Sequence, residues 1–298
     1  KLPSTLSNPI VTGILRNDLG YKGLIFSDAM DMKGVSKYYK DGEAEVRGLE
    51  AGMDVLELAE NSRVAIREIR RAIRQDRLSR EQINASVKKV LAAKYWAGLN
   101  QKAPIDLNNL TSDLNGAEAR ALNEKLADAA VTVLNGDSLI RAFDPAKRTA
   151  LIAVGSAELT TFQKDLQGHF TNSLPFLVRK NAAPSDIRKM VQELAGYDQI
   201  VVGVFDQRKR PGSVLDFTND VKLLLAELAG KNTIVSVFAN PYTVAGLPGI
   251  EKAGTILMNY QNSDDLQHSA AKVIRGELKA SGKLPVTISS NFRNGDGL

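Results

Sequence analysis

The sequence predicts an α/β protein in two parts, and three observations carry that prediction. Short apolar runs alternate with helix-length amphipathic segments, the pattern of βα units and a parallel sheet. Beyond residue 148 the runs at 149–154, 199–205 and 233–238 are almost continuously apolar, as strands covered on both faces are. A polar stretch with a proline and a terminal glycine, 103–116 (APIDLNNLTSDLNG), reads as a linker between residues 1–102 and 117–298. A length of 298 residues suits two domains at about 100–200 residues each.

In the first part, a helix is expected over 8–19, with Asn8 as N-cap, Pro9 at the first helical position and Ile10, Ile14 and Leu15 as its apolar stripe. Gly20 supplies the stop, and Leu24-Ile25-Phe26 reads as a buried strand ending at Asp28. A helix over 43–51 ends at Gly52, and 53–58 is a second short strand. A helix over 63–75 turns Val64, Ile66, Ile69 and Ile73 inward. Ser79 and Gln82 fit a capping box opening a helix to Trp96, with Ile83, Val87, Val90 and Leu91 inward.

Two buried strands and their helices cannot close a core. A whole (β/α)8 barrel takes about 250 residues, so 1–102 is expected to be the last βα units of one, with the chain starting inside the domain. The second part holds a helix at 117–130 and strands at 131–134, 149–154, 173–178, 199–205, 233–238 and 254–258. Helices at about 157–167, 185–195, 215–229 and 263–275 fall between them. That order predicts a three-layer α/β/α sandwich with a mostly parallel sheet. The tail 282–288 (GKLPVTI) is a candidate edge strand.

Composition excludes several function classes. With no cysteine, disulfides, thiol catalysis and Cys-ligated zinc are ruled out. The two histidines, His169 and His268, lie far apart in sequence, which argues against a His-rich metal site. No metal and no cofactor are expected. Net charge is +5, but the basic residues are spread out apart from Arg67, Arg70, Arg71 and Arg74 on one helix. With no interleaved aromatics they read as a solvated face, so no nucleic-acid partner is expected. No apolar run reaches the length of a membrane span. Lys1-Leu2-Pro3-Ser4 leads into a polar segment, unlike a signal peptide. No phosphate-binding glycine loop follows a strand, and 154–159 (VGSAEL) lacks the second glycine of a nucleophile elbow.

The chemistry candidate is Asp28. On a barrel, catalytic groups sit at the carboxyl ends of the strands, and Asp28 ends the strand read at 23–28. Ser and Asp also cap turns, so position alone leaves capping and catalysis both open.

The segment 6–35 (LSNPIVTGILRNDLGYKGLIFSDAMDMKGV) resembles the nucleophile segment of family 3 glycoside hydrolases. Its pattern is I-V-x-G-x-L-R, then L-G-[YF]-x-G-L-[IV], then S/T-D. Residues 49–58 (LEAGMDVLEL) resemble that family's eighth barrel strand, 89–99 (KVLAAKYWAGL) the helix leaving the barrel, and 282–288 the end of its sandwich domain. The resemblance is specific over the first 60 residues and architectural beyond them. It implies that Asp28 is the nucleophile of a retaining hydrolase acting on a carbohydrate substrate. Many β-glucosidases of the family carry Trp after that Asp. Ala29-Met30 here looks more like the β-N-acetylglucosaminidase type, where small residues leave room for an acetamido group. In that type the general acid/base is a His on an upstream barrel loop, near K-H-x-P-G-H-G, and this chain contains no such motif. The partners implied are the remainder of the barrel and a fused downstream domain after 291–298 (NFRNGDGL). Relatives that process cell-wall sugars favour a periplasmic or secreted setting. The alternatives are a β-glucosidase-type hydrolase and a non-catalytic scaffold or binding fragment.

Met30 and Met32 are the candidate substrate-binding residues, set against the packing role usual for methionine. Asp31 and Lys33 share their loop, while Lys40 and Asp41 read as solvent-facing. Asp54, at the start of its strand, reads as structural, because that end of a barrel strand serves stability. His169 reads as a helix-end cap and His268 as a surface residue. Glu158, Glu193, Glu227, Glu251 and Glu277 are second-part carboxylates that nothing in the sequence distinguishes. The loop 206–217 (DQRKRPGSVLDF) and Asn240-Pro241-Tyr242 lie at the carboxyl edge of the sandwich sheet, where α/β ligand sites occur, although a solvated loop serves equally there.

Overall fold

The computed structural model describes residues 2–40, 42–101, 104–207, 215–230 and 232–298. The chain divides into two compact units, Lys1–Leu107 and Asn108–Leu298.

In the first unit, strands β1 (Phe26–Ala29) and β2 (Val55–Glu57) pair in parallel. Helices cover Pro9–Asp18, Glu43–Ala51, Ser62–Arg74 and Arg80–Trp96. Three small apolar clusters form the core: Leu6, Met30, Val35 and Ala44; Val11, Ile25, Ala51 and Met53; and Val46, Leu49, Ala72 and Leu78. Leu56 of β2 packs against all three and is their common point. Gly52 ends its helix at φ 110°, a left-handed conformation that a Cβ would strain.

Several sequence expectations for this unit are corrected. The helix at 9–18 is wound wide: the Leu19 N–H reaches the Ile14 carbonyl, five residues back, at 2.9 Å. Val11 and Leu15 take the inner face, packed with Ile25, Ala51 and Met53, so Ile10 and Ile14, one residue earlier in each turn, are left exposed. Asn8 does not cap it. Its backbone is already helical, and its amide donates to the Glu50 carbonyl at 3.0 Å. Leu24-Ile25-Phe26 is not covered on both faces: Ile25 and Ser27 are buried, but Phe26 is 51% exposed. Ile66 faces solvent because Ala65, Ile69 and Ala72 take the inner arc of its helix. On Arg80–Trp96 only Ile83 joins a cluster, whereas Val87 and Leu91 are exposed. Ser79 accepts from the Gln82 N–H at 3.0 Å, but the Gln82 amide goes to the Leu49 carbonyl at 2.6 Å, so the capping box is half made.

The second unit is a three-layer sandwich around one six-stranded sheet. Its strands are β3 (Thr132–Leu134), β4 (Thr149–Val154), β5 (Ser173–Val178), β6 (Gln199–Phe205), β7 (Thr233–Phe238) and β8 (Thr255–Met258), in spatial order β3-β8-β7-β6-β4-β5. All neighbours are parallel except β3, which runs antiparallel to β8. One core cluster joins Val202, Val204 and Val235 to Met190, Leu194, Leu224 and Leu225 from the helices Pro184–Leu194 and Asn219–Leu228. The other joins Leu151, Val201 and Phe238 to Phe162, Leu166, Ala270 and Ile274 from the helices Thr161–Gln167 and Asp264–Ile274.

Gly155, at the end of β4, has φ +92°, and a Cβ there would lie 2.1 Å from the Phe205 carbonyl oxygen, so only glycine fits. The edge strand β5 carries Pro175 at its middle, which removes a donor an incoming strand would need. The tail 282–288 is not a strand. Pro285 lacks an N–H, and the tail bonds to itself, with Leu284 N–H to Asp296 O at 2.7 Å and Gly295 N–H to Leu284 O at 2.8 Å. The helix expected from 157 starts at Thr161, after a complete capping box of Thr160 and Gln163. A short helix, Leu110–Leu114, lies within the stretch read as linker.

Candidate functional site

The candidate site is built on β1. Between the pairs Phe26↔Val55 and Ala29↔Glu57, three steps along β1 match two along β2. The extra residue is a bulge at Ser27-Asp28, and bulges re-aim side chains next to sites. Ser27 turns into the unit and its hydroxyl accepts the Glu57 N–H at 2.9 Å. Met30 N–H donates to the Glu57 carbonyl at 3.0 Å. The Glu57 backbone therefore grips the chain on both sides of Asp28.

Asp28 itself is exposed, and its Oδ1 accepts the Ala29 N–H at 2.8 Å. That bond fixes the side-chain torsion, while the carboxylate stays open to a reacting atom. Phe26 and Glu57 are exposed as well.

The other end of the strand pair is locked by Asp54, whose side chain is 2% exposed. Its carboxylate pairs with Arg16 and, at 3.0 Å, with Lys89; it also accepts from Ser86 Oγ at 2.8 Å and the Ile25 N–H at 3.0 Å. Burial alone would raise its pKa, but the Ser86, Ile25 and Lys89 hydrogen bonds and the Arg16 charge outweigh it and hold the carboxyl below its usual value. Arg16 also donates to the carbonyls of Tyr21 at 3.0 Å and Gly23 at 2.6 Å, shaping the turn that feeds β1. Asp54 thus anchors the strand on which Asp28 sits, about 10 Å farther along at the rise of a β-strand.

The two methionines part company. Met30 is 2% exposed, packed against Leu6, Val35 and Ala44, with no surface left to touch a sugar. Met32 is 50% exposed on the loop after β1, beside exposed Asp31 and Lys33. Lys40 is exposed; Asp41 lies outside the described residues.

The remaining candidates lie in the second unit. His169 is half-buried, edge-on to the Phe170 ring at 5.0 Å. His268 is at the surface, its Nδ1 2.5 Å from Asp165 Oδ2. Glu277 pairs with Arg275 at 2.6 Å, and Glu251 accepts the Gly249 N–H at 3.0 Å. Of the loop 206–217, residues 208–214 lie outside the described residues; Asp206 is buried and pairs with Lys180 at 3.2 Å. Among the described residues, no group of three or more His, Asp and Glu side chains could hold a metal ion, and no helix is long and apolar enough to cross a membrane.

Sequence reasoning missed Ser27 and Glu57 as the clamp around Asp28. The Ser-Asp dipeptide carried the signal for Ser27, while the role of Glu57 is a backbone role that no side-chain pattern marks.

Residues 1–93 match the family model described as the glycosyl hydrolase family 3 N-terminal domain. The chain is 25% identical to beta-hexosaminidase A of Pseudoalteromonas piscicida, over 96% of this chain and 53% of that protein. It is 21% identical to a beta-N-acetylglucosaminidase/beta-glucosidase of Cellulomonas fimi, over 96% of this chain and 53% of that protein. Among solved structures, a glycoside hydrolase family 3 beta-N-acetylglucosaminidase from Paenibacillus sp. str. FPU-7 superposes with a TM-score of 0.72 at 24% identity, covering 97% of this chain and 56% of that one. The chain spans about half the length of the curated relatives it matches.

Proposed function

We propose that this chain, which belongs to glycosyl hydrolase family 3 by its residues 1–93, carries the nucleophile of a retaining hydrolase of β-linked N-acetylglucosamine-type sugars. The observation that carries the reading is Asp28: an exposed carboxylate at the carboxyl end of a parallel strand, on a bulge whose backbone is clamped on both sides. One Asp28 oxygen attacks the anomeric carbon as the bond to the leaving oxygen breaks, and the leaving oxygen takes a proton from the general acid. Water then attacks the glycosyl-enzyme ester, losing its proton to the same group acting as base and freeing the Asp28 carboxylate. On this reading the small Ala29 leaves room beside Asp28 for the acetamido group, and the exposed Met32 is the candidate contact to the sugar.

The acid/base group and the remaining barrel strands lie, on this reading, in sequence outside residues 1–298. Two observations support it. Phe26 on β1 and Val87, Leu91 and Trp96 on the last helix leave apolar surface bare, 88% of it in the case of Trp96. The histidines present are in the second unit, one already engaged by Asp165. A further domain after residue 298 is part of the same proposal.

The names of the relatives span hexosaminidase and glucosidase, so the sugar is tested directly. In the full-length protein, aryl N-acetyl-β-glucosaminide is expected to be cleaved faster than aryl β-glucoside. Asp28→Ala should lower kcat by at least about 10³-fold, the scale of removing a catalytic nucleophile. Azide should restore turnover by occupying the space of the lost carboxylate and yielding an α-glycosyl azide. Undiminished turnover in Asp28→Ala sinks the assignment.

A further inference from the structure

We propose that Glu57 is a further substrate-binding residue of the first unit: its carboxylate accepts the hydrogen bond of the amide N–H at C2 of the sugar. The inference rests on the reading of Asp28 as nucleophile and adds the group that recognises the acetamido substituent. Glu57 is the last residue of β2, at the carboxyl end, where barrel strands carry their functional groups. Side chains alternate between the faces of a strand. Leu56 packs against all three apolar clusters on the helix-covered face, so Glu57 lies on the opposite, bare face, as exposed Asp28 does. The register partner of Glu57 is Ala29. Neighbouring strands lie about 4.8 Å apart, so Glu57 stands directly across from the small residue that leaves room for an acetamido group. The bulge creates this offset. Without its extra residue, the register that starts at Phe26↔Val55 would set Asp28 opposite Glu57, and like charges directly opposite repel. With it, Asp28 falls one residue short of Glu57.

The charge of Glu57 is not used by the fold of this unit. Glu43, Glu50 and Glu68 each pair with an arginine, at 3.0, 2.7 and 3.0 Å. The Glu57 side chain has no hydrogen-bond or ion-pair partner among the described residues. Only its backbone is engaged, through Ser27 Oγ at 2.9 Å and the Met30 N–H at 3.0 Å. The backbone thus holds the position, and the carboxylate is left for a ligand.

The oxygens of Asp28 are already committed. Its Oδ1 accepts the Ala29 N–H at 2.8 Å, and the other oxygen attacks C1. An amide N–H on C2, the next ring carbon, is therefore best met by a different acceptor. An ionised carboxylate accepts hydrogen bonds and donates none. Glu57 consequently takes the N–H of the acetamido group and repels its carbonyl oxygen, which fixes the amide in one orientation. Hydrogen bonds at C2 strengthen in the transition state of glycoside hydrolysis, so this contact acts on kcat/KM.

The test sets two compounds against variants of the full-length protein. Aryl N-acetyl-β-glucosaminide has the C2 donor and aryl 2-deoxy-β-glucoside has none; the second is measured as a substrate, or as a competitor where it is not cleaved. Glu57→Ala should lower kcat/KM on the first about 10–100-fold, the effect of losing a hydrogen bond to a charged acceptor. On the second, kcat/KM or Ki should stay at the wild-type value. Glu57→Gln keeps an acceptor oxygen without the charge and should fall between wild type and Glu57→Ala on the first compound. It also supplies the comparison if Glu57→Ala alters the circular dichroism spectrum, because it preserves the size of the side chain. Equal losses on both compounds, or no loss on the first, overturn the proposal. Asp28→Ala tells the two readings apart. If it is inactive while the Glu57 variants lose equally on both compounds, the role of Glu57 alone falls. If Asp28→Ala turns over normally, the nucleophile reading falls and this inference with it.

Discussion

The two units solve the same packing problem to different degrees. In the second, the central strands are sandwiched: every residue of β4, β7 and β8 is buried, and a separate apolar cluster lies on each face of the sheet. In the first, β1 and β2 are covered on one face by three small clusters that meet at Leu56, and the opposite face shows Phe26, Asp28 and Glu57. The second unit is held by hydrophobic area. The first depends far more on one polar knot, the Arg16–Asp54–Lys89 group with Ser86 and the Ile25 amide. A strand with one bare face is free to present a carboxylate, and a strand buried on both is not.

The sharpest way to break this contrast is to delete one aromatic from a strand in each unit. Phe238 is fully buried, edge-on to Phe162 at 5.0 Å and stacked on Phe205 at 4.8 Å. Phe238→Ala should destabilise the second unit by about 3–5 kcal/mol, read by hydrogen exchange of peptides from β6 and β7. The partner deletion, Phe26→Ala, gives the smallest effect of the series, about 0.5 kcal/mol or less. Comparable losses at both positions would refute the one-sided account of β1.

Asp54→Ala comes next. Removing one partner of a buried ion pair leaves the other charges uncompensated and costs about 3–5 kcal/mol. Exchange protection should collapse in β1 and in Arg80–Trp96 while the second unit keeps its own. The pH dependence follows from the lowered pKa of Asp54. Unfolded, an aspartate titrates near pH 4. The carboxylate's contribution is therefore complete above that pH and is lost as pH falls through the lower folded value. Wild type should lose first-unit protection below about pH 4, and Asp54→Asn should flatten that dependence.

Thr160→Ala is a smaller probe, confined to the second unit. It removes a complete capping box at the start of Thr161–Gln167 and should cost about 1 kcal/mol.

The same contrast explains how much could be read from the sequence. The bounds of β4, β6 and β7 were legible because strands within a parallel sheet must be apolar throughout, and those of the edge strand β5 because helices flank it at the regular βα interval. Val87, Leu91 and Phe26 misled for the opposite reason. They are apolar as if covered, yet Phe26 is 51%, Val87 48% and Leu91 57% exposed among the described residues. The wide helix at 9–18 escaped because its backbone bonds leave no mark on side-chain periodicity, and the tail 282–288 because Pro285 and the bonds to Asp296 and Gly295 outweigh its β-prone composition. Asp28 was visible through its family resemblance. Its bulge and the Glu57 clamp were not, being properties of backbone pairing alone.

The most direct test of the central proposal is covalent trapping. The full-length protein is incubated with a 5-fluoro N-acetyl-β-glucosaminyl fluoride, which slows breakdown of the glycosyl-enzyme, and the labelled peptide is sequenced by mass spectrometry. The account predicts one fluoro-N-acetylglucosaminyl group on Asp28, absent from Asp28→Asn. A label on any other residue, or none on an enzyme that turns over its substrate, would contradict it.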